Sequence, residues 1–171
     1  VRGTSKRISS DQDDAESTAS TYLTAFNTDG FTTGDNAHTN ENNDTYVAWN
    51  WKANGSGSSN TNGSINSTVS ANTDAGFSIV SYTGTGSAGT IGHGLSSAPE
   101  MIIVKSRSFA DNWEVYHEGL NADAHDYLIR LNVAAASATA GDFWNTSSYP
   151  TNSLFGISAY DQLAKNNETF I

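Results

Sequence analysis

Gly76-Phe77-Ser78-Ile79-Val80-Ser81-Tyr82 combines aromatic and β-branched residues with small polar ones over seven positions after a Gly, the composition of a strand. Outward from it the same signal recurs. Met101-Ile102-Ile103-Val104-Lys105 is a continuous apolar run, which reads as a central strand buried on both faces. Trp113-Glu114-Val115-Tyr116-His117 and Tyr127-Leu128-Ile129-Arg130-Leu131 follow at the short spacing of a β-sandwich, and Thr169-Phe170-Ile171 closes the chain as another strand. Upstream, Tyr46-Val47-Ala48-Trp49-Asn50-Trp51 places Val47, Trp49 and Trp51 on one face; Trp49, beside Val47 on it, reads as core, while Trp51 lies beside the following Gly/Ser/Asn-rich stretch. The expected fold class is therefore all-β: antiparallel β-sandwich or jelly-roll-like units with little helix. Only Asn132 to Gly141, with its Ala-rich centre, is a candidate for two helical turns.

Composition agrees with that class. Of 171 residues, 36% are apolar and 15% charged, with 15 Gly but only 2 Pro. Ser, Thr, Asn and Gly in such excess supply tight turns between short strands. The net charge of −10 argues against nucleic acid or an anionic membrane surface as partner, since both demand basic patches. No run approaches the roughly 20 apolar residues of a membrane helix. The absence of Cys leaves no disulfide and no thiolate metal site.

Ala53 to Thr73 is rich in Gly, Ser, Asn and Thr, so little apolar area is available to offset its ordering entropy. It reads as a linker over 53–73, with Ile65 and Val69 able to add one short edge strand. The linker separates residues 1–52 from 74–171, and the two parts match each other. Residues 31–47 align without a gap on 155–171, 124 positions on. Phe31 meets Phe155, Asn42-Asn43 meets Asn166-Asn167, and Asp44-Thr45-Tyr46-Val47 meets Glu168-Thr169-Phe170-Ile171. A turn feeding a strand thus occurs twice, and the chain reads as two diverged copies of one unit. The second copy is nearly whole. The first is the C-terminal half of a unit whose other strands are expected upstream in a longer polypeptide.

Combined, Gly76–Gly84, Gly92-His93-Gly94-Leu95, Ala98-Pro99, Ile102–Lys105 and Asn112–His117 resemble an uncharacterised β-rich domain of tailed phages, recurrent in tail-fibre and other virion proteins and often in marine phages. Val1-Arg2-Gly3, Asp29-Gly30-Phe31 and Thr45–Lys52 extend the resemblance over most of the chain. It implies a β-sandwich and a place on the virion surface. It implies no activity, and it supplies no catalytic residue.

Several chemical readings are weaker than their structural counterparts. Gly84-Thr-Gly86-Ser-Ala-Gly89 satisfies the dinucleotide-binding string, but Gly92-His93-Gly94 soon follows, so no helix can start there on a pyrophosphate. It reads as a hairpin turn. His93 reads as a hydrogen-bonding turn residue. Asp11, Asp13, Asp14 and Glu16 lack the Gly and the terminal acid of an EF-hand loop. His117, Glu118, Asp123, His125 and Asp126 match no zinc spacing. No nucleophile elbow is present, and a carboxylate pair for glycoside hydrolysis would show only in space.

No catalytic residue, cofactor or metal ligand is therefore assigned. Trp144 and Tyr149, in the Phe143–Pro150 loop, are the candidate ligand contacts, able to stack on a sugar. The expected function is a non-enzymatic virion structural protein, part of a tail fibre or similar appendage, with capsid decoration, a head fibre or a lectin-like adhesin as alternatives. Expected partners are other virion proteins, further copies of the chain, and a host surface glycan.

Overall fold

A computed structural model describes residues 3–139, 141–145 and 150–171. The chain is built mostly from short antiparallel strands, as the alternation of its sequence requires. In chain order these are β1 (Lys6–Arg7), β2 (Ser17–Thr18), β3 (Leu23–Phe26), β4 (Phe31–Thr33), β5 (Ser58–Asn60), β6 (Ser67–Asn72) and β7 (Phe77–Thr83). There follow β8 (Gly89–Gly92), β9 (Met101–Lys105), β10 (Trp113–His117), β11 (Tyr127–Arg130), β12 (Ala138–Thr139), β13 (Leu154–Ile157) and β14 (Thr169–Phe170). Two one-turn helices, α1 (Ala37–Asn40) and α2 (Asp161–Ala164), precede the turns into Tyr46 and Phe170.

Two four-stranded antiparallel sheets carry the fold, ordered β14-β7-β6-β5 and β12-β11-β10-β9. The C-terminal strand joins them. Thr169 and Phe170 pair with Thr83 and Tyr82 of β7, while Ile171 exchanges both backbone hydrogen bonds with Lys105, at 2.8 and 3.0 Å. Beneath this junction the core closes. Phe170 is fully buried, stacked on Tyr82 at 5.1 Å and edge-on to Phe109 at 5.9 Å. The β8–β13 pair contributes Ile91, Phe155 and Ile157 to the same cluster.

The Gly-rich stretch after β7 is a turn that grips the segment following α2. Gly84 donates its N–H to the Glu168 carbonyl at 2.8 Å, and Gly86 donates to the Ala164 carbonyl at 2.6 Å. Gly86 has φ +73, and a Cβ on Gly84 would collide with the Lys165 carbonyl. Two of the glycines that mimic a nucleotide fingerprint are thus fixed by backbone approach.

The N-terminal segment is tied to the second sheet. Trp113 Nε1 donates to the Ser9 carbonyl (2.8 Å), Asp111 N–H donates to the Asp13 carbonyl (2.7 Å), and Arg107 Nε pairs with Glu16 at 3.0 Å. The acidic stretch is thereby used structurally. Asp13 contributes its carbonyl, and Glu16 a partner for Arg107.

Four readings need correction. The supposed linker at 53–73 is part of a sheet: β5 and β6 lie inside it, β6 pairs with β7 along six residues, and Ile65 bridges to Ile91. Its entropy is offset by the backbone ladder and by hydroxyls, Ser67 donating to the Gly92 carbonyl and Ser70 to that of Gly55. β9 is not a central strand but the edge of its four-stranded sheet: Met101 and Ile103 are exposed, whereas Val104 and Lys105 at its end are buried. Asn132 to Thr139 is not helical and ends in β12. Tyr46–Trp51, read as a core strand, forms no strand and pairs with none among the described residues.

The two aligned segments share local conformation. Helices α1 and α2 occupy matching positions, and Asn43 (φ 67) matches Asn167 (φ 62). Asp44 N–H donates to the Glu41 carbonyl at 3.3 Å where Glu168 donates to Lys165 at 3.1 Å. Their surroundings differ: Phe170 is enclosed between sheets, whereas the matching Tyr46 is exposed, its hydroxyl donating to the Ala37 carbonyl at 2.8 Å.

Candidate functional site

Exposed aromatic side chains converge at one end of β7. Trp49 and Trp51 stack at 6.3 Å with rings 15° apart, and Trp51 stacks in turn on Phe77 at 6.2 Å. The alternation of Tyr46–Trp51 sends both indoles to one side, and the segment is held at its far end by Asn72 Nδ2, which donates to the Lys52 carbonyl. Trp49 is 77% exposed and Trp51 65%. Indoles left this open form an exposed apolar patch of the kind that marks contact surfaces. Sequence reasoning assigned Trp49 to the core because Val47, Trp49 and Trp51 share a face. That face exists, but it looks outward.

The two residues expected to contact a ligand are placed differently. Trp144 is 2% exposed, packed edge-on to Tyr116 and Phe143, with Nε1 donating to the Tyr127 carbonyl at 3.0 Å. An indole enclosed on its faces and bonded through its N–H offers nothing to a sugar, so Trp144 is a core residue. Tyr149 lies outside the described residues.

Beside the aromatic strip runs a shallow groove lined by Asn54, Ser56, Ser58, Asn60, Ser70 and Thr73. Hydroxyls and amides dominate its walls, with Val69, Ala71 and Gly94 between them, and among its lining residues none is ionisable. The groove can offer hydrogen bonds, but it holds no acid or base.

The perturbed ionisable groups are buried in the scaffold. Glu114 is fully enclosed, and burial pushes its carboxyl up while Arg130, at 3.0 and 3.2 Å, pulls it down. Lys105 is enclosed too; its Nζ donates to the Asp13 and Ser106 carbonyls at 3.2 and 2.9 Å. Burial lowers its value, against the charges of Asp111, Asp13 and Asp14. His117 uses Nδ1 to accept the Gly119 N–H at 3.0 Å, a capping role. Among the described residues no three His, Asp or Glu side chains are grouped to hold a metal ion.

His93 bonds through both ring nitrogens. Leu95 N–H donates to Nδ1 at 3.1 Å, so Nδ1 carries no proton, and Nε2 donates to the Thr151 carbonyl at 3.1 Å. Burial holds this imidazole below its ordinary value of 6.5, the Thr151 carbonyl acting in the opposite sense. Below pH 6.5 the unfolded chain takes up a proton that the folded ring resists, so folding stability falls as pH falls through that value. In urea titrations at descending pH, wild type is expected to lose stability more steeply than His93→Gln. Equal slopes would exclude His93 as the source.

No curated protein sequence and no solved structure matches the chain. A family of unknown function does match, and over all of residues 1–171. The chain therefore belongs to the family described as the domain of unknown function DUF7483.

Proposed function

We propose that this chain is a non-enzymatic structural module of a tailed-phage virion, part of a tail fibre or similar surface appendage. The observation that carries the reading is the segment Tyr46–Trp51, which presents two stacked indoles to solvent outside any strand. Exposed apolar groups serve contact between chains, and repeated copies turn weak contacts into a firm assembly. The resemblance of the Gly76–His117 motifs to virion domains supports the same reading. So does the net charge of −10, which keeps a Ser/Thr/Asn-rich β surface soluble before assembly.

Mass spectrometry of purified particles, followed by cryo-electron microscopy, tests the proposal. Density for the chain on a tail appendage is the expected result. Density on the head would move the module to capsid decoration, and absence of the chain from purified particles would overturn the virion assignment.

A further inference from the structure

The dipeptide Asn-Gly occurs twice in the chain, at Asn54-Gly55 and Asn62-Gly63, each followed by Ser. Glycine has no Cβ, so its backbone nitrogen can approach the preceding side-chain amide without hindrance. Once that nitrogen loses its proton it can attack Asn Cγ and close a cyclic imide. The Cγ–Nδ2 bond breaks, and the amide nitrogen leaves as ammonia with the proton. Water then opens either C–N bond of the imide and returns a proton to the glycine nitrogen. Opening at Cγ gives aspartate; opening at the backbone carbonyl gives isoaspartate, in which the main chain runs through the former side chain. Water is consumed and ammonia released, with no oxidant, reductant or cofactor.

Both dipeptides are exposed, so exposure does not separate them. Ring closure requires the backbone around the asparagine to turn, and there the two sites differ. Asn62-Gly63 is clamped. Asn62 N–H donates to Asn60 Oδ1 at 2.8 Å, while Ser64 N–H and Ile65 N–H donate to the hydroxyl and carbonyl of Thr90 on β8, each at 3.0 Å. Gly63 lies so close to that strand that a Cβ would stand 2.5 Å from the Thr90 carbonyl oxygen. Asn54-Gly55 is freer. Among the described residues nothing lies within 4 Å of where a Gly55 Cβ would be. The brace there is a side-chain hydroxyl: Ser70 Oγ accepts from Asn54 N–H at 3.0 Å and donates to the Gly55 carbonyl at 2.9 Å.

We propose that Asn54-Gly55 is a self-modifying site, at which the Gly55 nitrogen converts Asn54 to aspartate or isoaspartate, while the fold protects Asn62-Gly63. Asn54 lines the groove beside the indole strip, whose lining residues carry no ionisable side chain. Conversion places a carboxylate in that groove and adds to a net charge already at −10. Isoaspartate also lengthens the main chain by a carbon shortly before β5, the outermost strand of its sheet. The groove thus passes from neutral to anionic as the folded protein ages. A ligand bonding to its hydroxyls and amides meets a different surface in old protein than in new. This holds whether or not the module belongs to a virion.

Peptide mapping by tandem mass spectrometry, on the folded chain held for days in mildly alkaline buffer, tests the proposal. Asn54 is expected to convert about tenfold or more faster than Asn62, because freeing Gly63 for ring closure first breaks backbone hydrogen bonds. In denaturing urea the two sites should convert alike, which ties the difference to the fold. Labelling by an isoaspartyl methyltransferase should mark aged wild type and fall to background in Asn54→Gln; thermal melts verify that this exposed substitution leaves the fold intact. A folded chain that keeps Asn54 as the amide overturns the proposal. So does an Asn62 that keeps pace with Asn54 in the folded chain, a difference of the same size in urea, or labelling that persists in Asn54→Gln.

Discussion

Replacing Phe170 by alanine should lower stability by about 3–5 kcal/mol, the range for removing a fully buried phenylalanine. In a domain of this size that is a fall in Tm of roughly 6–20 °C. The size of the effect follows from position. Phe170 stacks on Tyr82, meets Phe109 edge-on, and sits on the strand whose backbone joins the two sheets. A cavity there cannot collapse without parting β7 from the Ser106 bridge. Tyr46 is the internal control. It occupies the matching place in the earlier segment, but its ring is exposed, and Tyr46→Ala should cost no more than about 1 kcal/mol for the lost hydroxyl contacts. Paired thermal melts of the two variants check both values. Similar losses would mean that Tyr46 is as enclosed as Phe170.

The second large effect is expected at the Glu114–Arg130 pair. Glu114 is enclosed on β10 and its carboxylate is met by Arg130 Nε from the neighbouring strand β11. Arg130→Met leaves the carboxylate buried without its counter-charge. The penalty should be about 3 kcal/mol, the low end for breaking such a pair, because Arg130 is itself partly in contact with water. Glu114→Leu/Arg130→Met should recover most of that loss, since an apolar pair needs no desolvation. The pH dependence distinguishes this cause from lost packing. Burial already raises Glu114 above its unfolded value, so the folded state binds its proton more readily and gains stability as pH falls through that window. Losing Arg130 raises it further. Acidification from neutral pH should therefore narrow the gap between Arg130→Met and wild type; a constant gap would contradict the account.

Strands whose own side chains alternate were legible in the sequence. β7, β10, β11 and β14 each fall within a residue or so of the alternating segment that announced them. β6 was legible only as a short edge strand through Val69, because Ser67 and Ser70 beside it bring little apolar surface and hold their places through the ladder to β7 and through hydroxyl bonds. Composition sees only the missing hydrophobicity. Trp144 failed for the opposite reason: its neighbours suggested a loop, and only the fold could bring Tyr116 and the Tyr127 carbonyl around it. Trp49 and Met101–Lys105 present a third case. Their patterns describe covered strands, and the isolated chain leaves part of each uncovered.

Amide hydrogen exchange tests most directly the claim that the C-terminal strand joins the two sheets. The N–H groups of Lys105, Arg107 and Ile171, bonded to the carbonyls of Ile171, Thr169 and Lys105, should exchange slowly in wild type and speed up together in Phe170→Ala, while β6 stays protected. Rapid exchange of these three amides in wild type would contradict it.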